Sequence, residues 1–188
     1  FVAGAGLNVY NAQALMWLQQ RGLVRWVPQV EMSGEAIGCI VAEARRDDAK
    51  LEVELFAFGR MPLAYSARCF TARAQGFTKD TCEFICDRFP EGLVTETREG
   101  QPLFALNGIQ TQSAALLNLL GCWREAQEVG VDILRVSPRP NGTPEVLTRL
   151  RAALDSDTRP ELADLCDIPE CDGYWYGRAG FKAERSMS

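Results

Sequence analysis

The sequence predicts an α/β protein, the C-terminal part of a (β/α)8 TIM-like barrel with an irregular cysteine-bearing insertion. Three observations predict it. Strand-like and helix-like segments alternate from the first residue, the order that gives parallel strands covered by helices. The alternation breaks at residues 59–92, a stretch with Gly, Pro, Arg and three cysteines and no sustained period. The chain also opens in mid-element: Phe1-Val2-Ala3-Gly4-Ala5-Gly6 reads as a strand running into a glycine turn, without an initiator Met or a polar lead-in. Domains normally begin at exposed, polar termini. A full barrel takes about 250 residues, so the 188 residues are expected to be an N-terminally incomplete piece of a longer protein. The expected organisation is a single domain over 1–188, an incomplete barrel, with 59–92 as an iron–sulfur-binding insertion for the reasons below. A doubly wound sheet is the alternative for a βα run of this size; the mid-element start favours the barrel.

The elements follow in order. Val9, Leu15, Trp17 and Leu18 set a helical spacing over Asn8 to Gln20, closed by Gly22. Leu23 to Val30 is a strand candidate. Ser33 is placed to N-cap a helix running to about Arg46 with Ile37, Ile40 and Val41 on its buried face. Leu51 to Phe58 alternates Leu51, Val53 and Leu55 with Glu52 and Glu54, a strand. Leu93 to Leu106 reads as a hairpin turning near Glu99-Gly100. Thr111 to Val129 reads as one long helix ended by Gly130. Val131 to Val136 is a strand and Thr143 to Leu154 a helix. Cys171 to Phe181, with Tyr174, Trp175 and Tyr176, is a candidate last strand, and Tyr174 and Trp175 read as core aromatics.

Composition bounds the function. No apolar run approaches the roughly 20 residues of a membrane span, and no signal peptide is recognisable at the start. A soluble, cytoplasmic protein is expected. The net charge of −5 argues against broad nucleic-acid binding. The chain has no histidine, which excludes Ser-His-Asp and Cys-His catalysis and mixed Cys/His zinc sites within it.

Seven cysteines, an odd number, disfavour a disulfide framework. Cys39 and Cys122 fall on helical apolar patterns and read as small core residues. Cys69, Cys82 and Cys86 differ: they form C-x12-C-x3-C inside the irregular segment. Loops can aim thiolates at one point, and a four-residue spacing brings the last two to one side of a turn. Iron–sulfur clusters are held mainly by cysteine thiolates. Zinc accepts an all-cysteine set as well, and three unrelated thiols remain the plain alternative on spacing alone.

Longer motifs go further. Leu63-Ala64-Tyr65-Ser66-Ala67-Arg68-Cys69-Phe70-Thr71-Ala72-Arg73 is followed by Lys79-Asp80-x-Cys82-x-x-x-Cys86, then Asn107-Gly108-Ile109-Gln110-Thr111, then Cys171-Asp172-Gly173-Tyr174-Trp175. With Phe1-Val2-Ala3-Gly4, Leu7-Asn8-x-Tyr10-Asn11 and Arg25-Trp26, this run resembles the UbiV branch of the collagenase-like peptidases, family U (number thirty-two), over essentially the whole chain. The resemblance implies a [4Fe–4S] cluster with Cys69, Cys82 and Cys86 as metal ligands and a fourth cysteine upstream of Phe1. Other members of the family carry a cysteine seven residues before the Cys69 position. That position is Pro62 here, which supports the UbiV branch and leaves three matched ligands in this chain; Cys166 and Cys171 are the substitutes for a fourth.

Arg60, Arg68, Arg73, Lys79 and Arg88 surround these cysteines in sequence. Cations there would offset an anionic cluster, and Arg68 and Arg73 are candidate substrate-binding or supporting residues able to grip a carboxylate; a solvated basic loop is the plain reading. Asn107, Gln110 and Thr111 are expected where a strand meets a helix, as caps or pocket lining.

The function implied by the resemblance is oxygen-independent hydroxylation of the ubiquinone precursor ring, performed as a heterodimer with a UbiU-like family member. Prephenate is implied as oxygen source. Two other readings stand beside it: a non-catalytic support subunit of that complex, and an RNA-base hydroxylase of the same family, which the acidic charge disfavours. Peptidase activity is unexpected in a chain without histidine or a visible nucleophile–base pair. No catalytic residue is assigned.

Overall fold

A computed structural model describes residues 1–46, 50–178 and 180, with Lys79 described in its backbone alone. The order is β1 (Val2–Ala3), α1 (Ala12–Gln19), β2 (Arg25–Trp26), α2 (Gly34–Ala44), β3 (Glu52–Tyr65), α3 (Phe70–Ala74), β4 (Leu93–Glu96), β5 (Pro102–Asn107), β6 (Gln110–Asn118), α4 (Trp123–Glu128), β7 (Ile133–Val136), α5 (Thr143–Asp155) and β8 (Glu170–Cys171).

The βα alternation produces the parallel strands that the sequence predicts. β1 pairs with β2, β2 with β3, and β3 with β7, all parallel. The ends of the helices follow from named residues. The Asn11 side chain accepts from Ala14 N at 2.8 Å and starts α1. Ser33 Oγ accepts from Ala36 N at 3.1 Å and starts α2, as expected of N-caps. α2 then buries Ile37, Ile40, Val41 and Ala44 against the sheet. Its first residue must be glycine, because a Cβ on Gly34 would stand 2.8 Å from the ring of the buried Trp175. Trp175 belongs to the core, as predicted.

The parallel strands do not close into a barrel among the described residues. What extends the sheet is β3 itself. Its first half is buried on both faces, as a parallel strand between covering helices should be. Past Phe58 the strand runs on, and β6 pairs with it antiparallel from Phe58–Asn118 to Tyr65–Gln110. β5 and β4 add outward from β6. Pro62 lies inside this extension, where the register shifts on either side of it. A residue without an N–H is tolerated there because a bulge does not need its donor. Met61 N is satisfied instead by Ser113 Oγ at 2.9 Å.

Two expectations are corrected. Thr111 to Val129 is not one helix: Gln110–Asn118 is strand β6, a single 3-10 turn of helix follows at Leu120–Cys122, and only Trp123–Glu128 is α-helical. The extension of β3 and the incoming β5 both offer ladder hydrogen bonds to this segment, and that pairing outweighs the helical preference of its Ala and Leu residues. The last segment is a strand only at Glu170–Cys171, beside β6, and continues as turns; Phe181 lies outside the described residues. Elsewhere the boundaries move in both directions: β2 is two residues long where eight were expected, and β3 runs seven residues beyond its expected end at Phe58, to Tyr65.

Candidate metal centre

Cys69 stands where the β3 extension ends. It is the N-cap of α3, its Sγ accepting from Ala72 N at 3.4 Å. The tip of the β5–β6 hairpin fixes this helix start. Phe70 N donates to Gly108 O at 3.1 Å and Ser66 N to Ile109 O at 2.8 Å. Thr71, buried beneath, receives Gly108 N on its hydroxyl at 3.0 Å. Gly108 has φ +63, a conformation glycine adopts without strain. The Asn107-Gly108-Ile109-Gln110-Thr111 motif is therefore a hairpin turn that clamps the Cys69 helix, and not the junction of a strand with a helix.

Cys82 and Cys86 lie on consecutive tight turns. Ile85 N donates to Cys82 O at 2.9 Å, with Glu83 at φ 43 and Phe84 at φ 56 between. Two successive non-glycine residues in the left-handed region are a costly way to turn. Nothing in the packing of Phe84 explains it, for that ring is 75% exposed. Cys86 begins its own turn, within Ile85–Arg88, and Ile85 is the buried anchor. α3 packs against this turn, so the segments bearing Cys69 and Cys86 are neighbours.

All three thiols are half-buried and free of disulfides. Soft thiol donors reached by solvent and carried on short turns are of the kind an iron–sulfur cluster takes. Among the described residues, however, no three Cys, Asp or Glu side chains converge closely enough to hold a metal ion. The structure brings the three cysteines into one region without closing them on one point.

The other cysteines have different surroundings. Cys122 is buried as expected, but Cys39 is exposed on α2, because its position falls off the Ile37–Ile40–Val41 face. Cys171 is fully buried in β8, and burial raises its thiol pKa. Cys166 is pushed up to about 12, first by burial and then by its hydrogen bond to Glu170. Among the described residues neither forms part of a metal-binding group.

The arginines separate. Arg68, Arg73 and Arg88 are exposed. The Lys79 side chain lies outside the described residues. Arg60 turns inward: its Nη1 donates to Ser113 O at 3.0 Å and also to Ala114 O, and beside it lies Arg139, a residue that sequence reasoning passed over. The only signal for Arg139 was its place directly after a strand, between Pro138 and Pro140.

No helix among the described residues is long and apolar enough to cross a membrane. No solved structure matches the chain. The family model of peptidase family U32 matches residues 3–168, and the chain belongs to that family.

Proposed function

We propose that the chain is an iron–sulfur protein of the UbiV branch of its family, serving oxygen-independent hydroxylation of the ubiquinone precursor ring in a heterodimer with a UbiU-like partner. Cys69, Cys82 and Cys86 hold a [4Fe–4S] cluster together with a further ligand. The observation that carries the reading is the set of three half-buried, unpaired thiols on one segment of short turns, in a chain of the U32 family without histidine. Metal sites of this kind gain much of their order on binding, so the turn from Cys82 to Cys86 is the element expected to adjust. The cluster supplies one-electron redox chemistry. The protein's own contribution is the hairpin clamp that fixes Cys69 and the buried Ile85 that fixes the Cys86 turn.

The test is purification without oxygen and analysis for iron and acid-labile sulfide. Bound iron and sulfide are expected, with thiolate-to-iron absorbance near roughly 400 nm, and Cys82→Ala should abolish both. Stoichiometric zinc without iron would overturn the reading. Co-expression with a UbiU-like protein should then yield a stable heterodimer.

A further inference from the structure

Two guanidinium groups meet in a small cavity just past the point where the parallel pairing of β3 with β7 ends, at the carboxyl end of β7. Arg60 follows Phe58, which pairs with Val136, and Arg139 follows Val136 by three residues. The strands approach closely there because position 59 is glycine. Gly59 has φ +129, and a Cβ on it would stand 2.6 Å from Ser137 Cβ. In open α/β sheets the carboxyl end of the strands is where ligands bind.

Both side chains are only 8% exposed. Arg60 spends Nη1 on the carbonyls of Ser113 and Ala114. Arg139 Nη2 pairs with Asp167 and lies 3.6 Å from Glu91. The Nε of each is buried without a hydrogen-bond partner. Glu91 Oε2 is 4.0 Å from Arg60 Nε, too far for a hydrogen bond. A buried donor left without an acceptor is costly, and more so when charged; two in one cavity call for an acceptor.

We propose that this pocket binds the carboxylate head group of a small organic acid. Size and charge decide the class. The cavity holds about 70 Å³ and is lined by Arg60, Glu91, Asn107, Gln112, Ser137 and Arg139, among others. That is the room of roughly two waters at about 30 Å³ each, enough for one carboxylate with the rest of the ligand outside. The charges of Glu91 and Asp167 already balance the two arginines, so a monoanion is accepted at lower cost than a phosphate dianion. The Nε side of a guanidinium fork matches a planar carboxylate. Burial also lowers the Arg60 pKa, and an anion against it would restore what desolvation removes. The pocket uses none of the cysteines, so it stands or falls apart from the cluster.

The test is a titration of the ¹⁵N-labelled protein with sodium acetate, and separately with inorganic phosphate, each against chloride at matched ionic strength. Acetate should shift the Nε–H signals of Arg60 and Arg139 saturably, with a Kd in the millimolar range. Arg139→Gln should weaken acetate binding about tenfold or more while the backbone amide spectrum stays dispersed. The wild-type titration keeps the proposal falsifiable should that variant fail to fold. Absence of a saturable shift up to about 100 mM acetate, tighter binding of phosphate than of acetate, or undiminished affinity in a folded Arg139→Gln would each overturn it.

Discussion

Glu54 of β3 accepts a hydrogen bond from Arg25 of β2, Nη1 to Oε2 at 3.0 Å. Its other oxygen is paired with Arg135 of β7. One buried carboxylate thus ties three neighbouring parallel strands. The cations remain part-exposed, at 33% and 48% of their side-chain surface, while Glu54 is at 7%. Burying the acid is tolerable because both oxygens are met by charged donors.

Glu54→Ala should therefore lower stability by about 1–3 kcal/mol. In a chain of this size that is a fall in Tm of about 2–4 °C per kcal/mol. The two arginines can turn to solvent, so the loss should stay below that of breaking a fully buried pair. Thermal melts of the variant check this; an unchanged Tm would show that the tie contributes nothing net.

The turn between Cys82 and Cys86 carries its own expectation. A non-glycine residue in the left-handed region costs roughly 1–2 kcal/mol, and the exposed Phe84 ring has little packing to lose. Phe84→Gly should raise the Tm of the metal-free protein by a few degrees. If the strain serves the cluster, the same variant should retain iron less well after anaerobic reconstitution. A lower Tm would mean that Phe84 packs in a way its exposure does not suggest.

The pH dependence has two ends. Arg149 holds Asp164, and Arg139 holds Asp167, below their usual 3.8. Groups with depressed folded pKa values stabilise above the unfolded value and lose that contribution as pH falls through the folded one. Stability should thus decline below about pH 4, and less steeply in high salt, since both acids are exposed. At the alkaline end, Cys166 is raised from 9.0 to about 12. Its contribution is complete below pH 9 and is lost as pH rises toward 12. Urea titrations across pH, with Cys166→Ala flattening the alkaline limb, check both signs.

The elements legible in sequence were those whose signals are local. Ser33 and the Ile37–Ile40–Val41 spacing define α2 without help from the rest of the chain, and the turn near Glu99-Gly100 defines the β4–β5 hairpin. β6 had one local signal, the Asn107-Gly108 turn that joins it to β5, but the Ala and Leu residues that follow read as helix, and its other partner, the extension of β3, lies some fifty residues earlier. The three candidate ligands were legible as residue types. Their support was not: the clamp of Gly108 and Thr71 on the Cys69 helix exists only once two hairpin strands have paired. Arg139 was hidden for the same reason, since its meeting with Arg60 depends on the pairing of β3 with β7.

Arg68 and Arg73 give the last prediction. Both were expected beside the cysteines, and both are exposed. Arg73 lies in the last turn of α3, where a cation gains a few tenths of a kcal/mol from the helix dipole. Neither has a carboxylate partner among the ion pairs of the described residues, so the Arg68→Ala, Arg73→Ala double variant should change stability by no more than about 0.5 kcal/mol. Any effect on function must then come from a cluster or substrate that these side chains reach from solvent. Arg73→Lys separates the possibilities, because lysine keeps the charge but not the planar fork. A loss of ring hydroxylation in cells grown without oxygen, with iron content and Tm unchanged, would assign the fork to an anionic substrate. Full activity in the double variant would reduce both residues to a solvated loop.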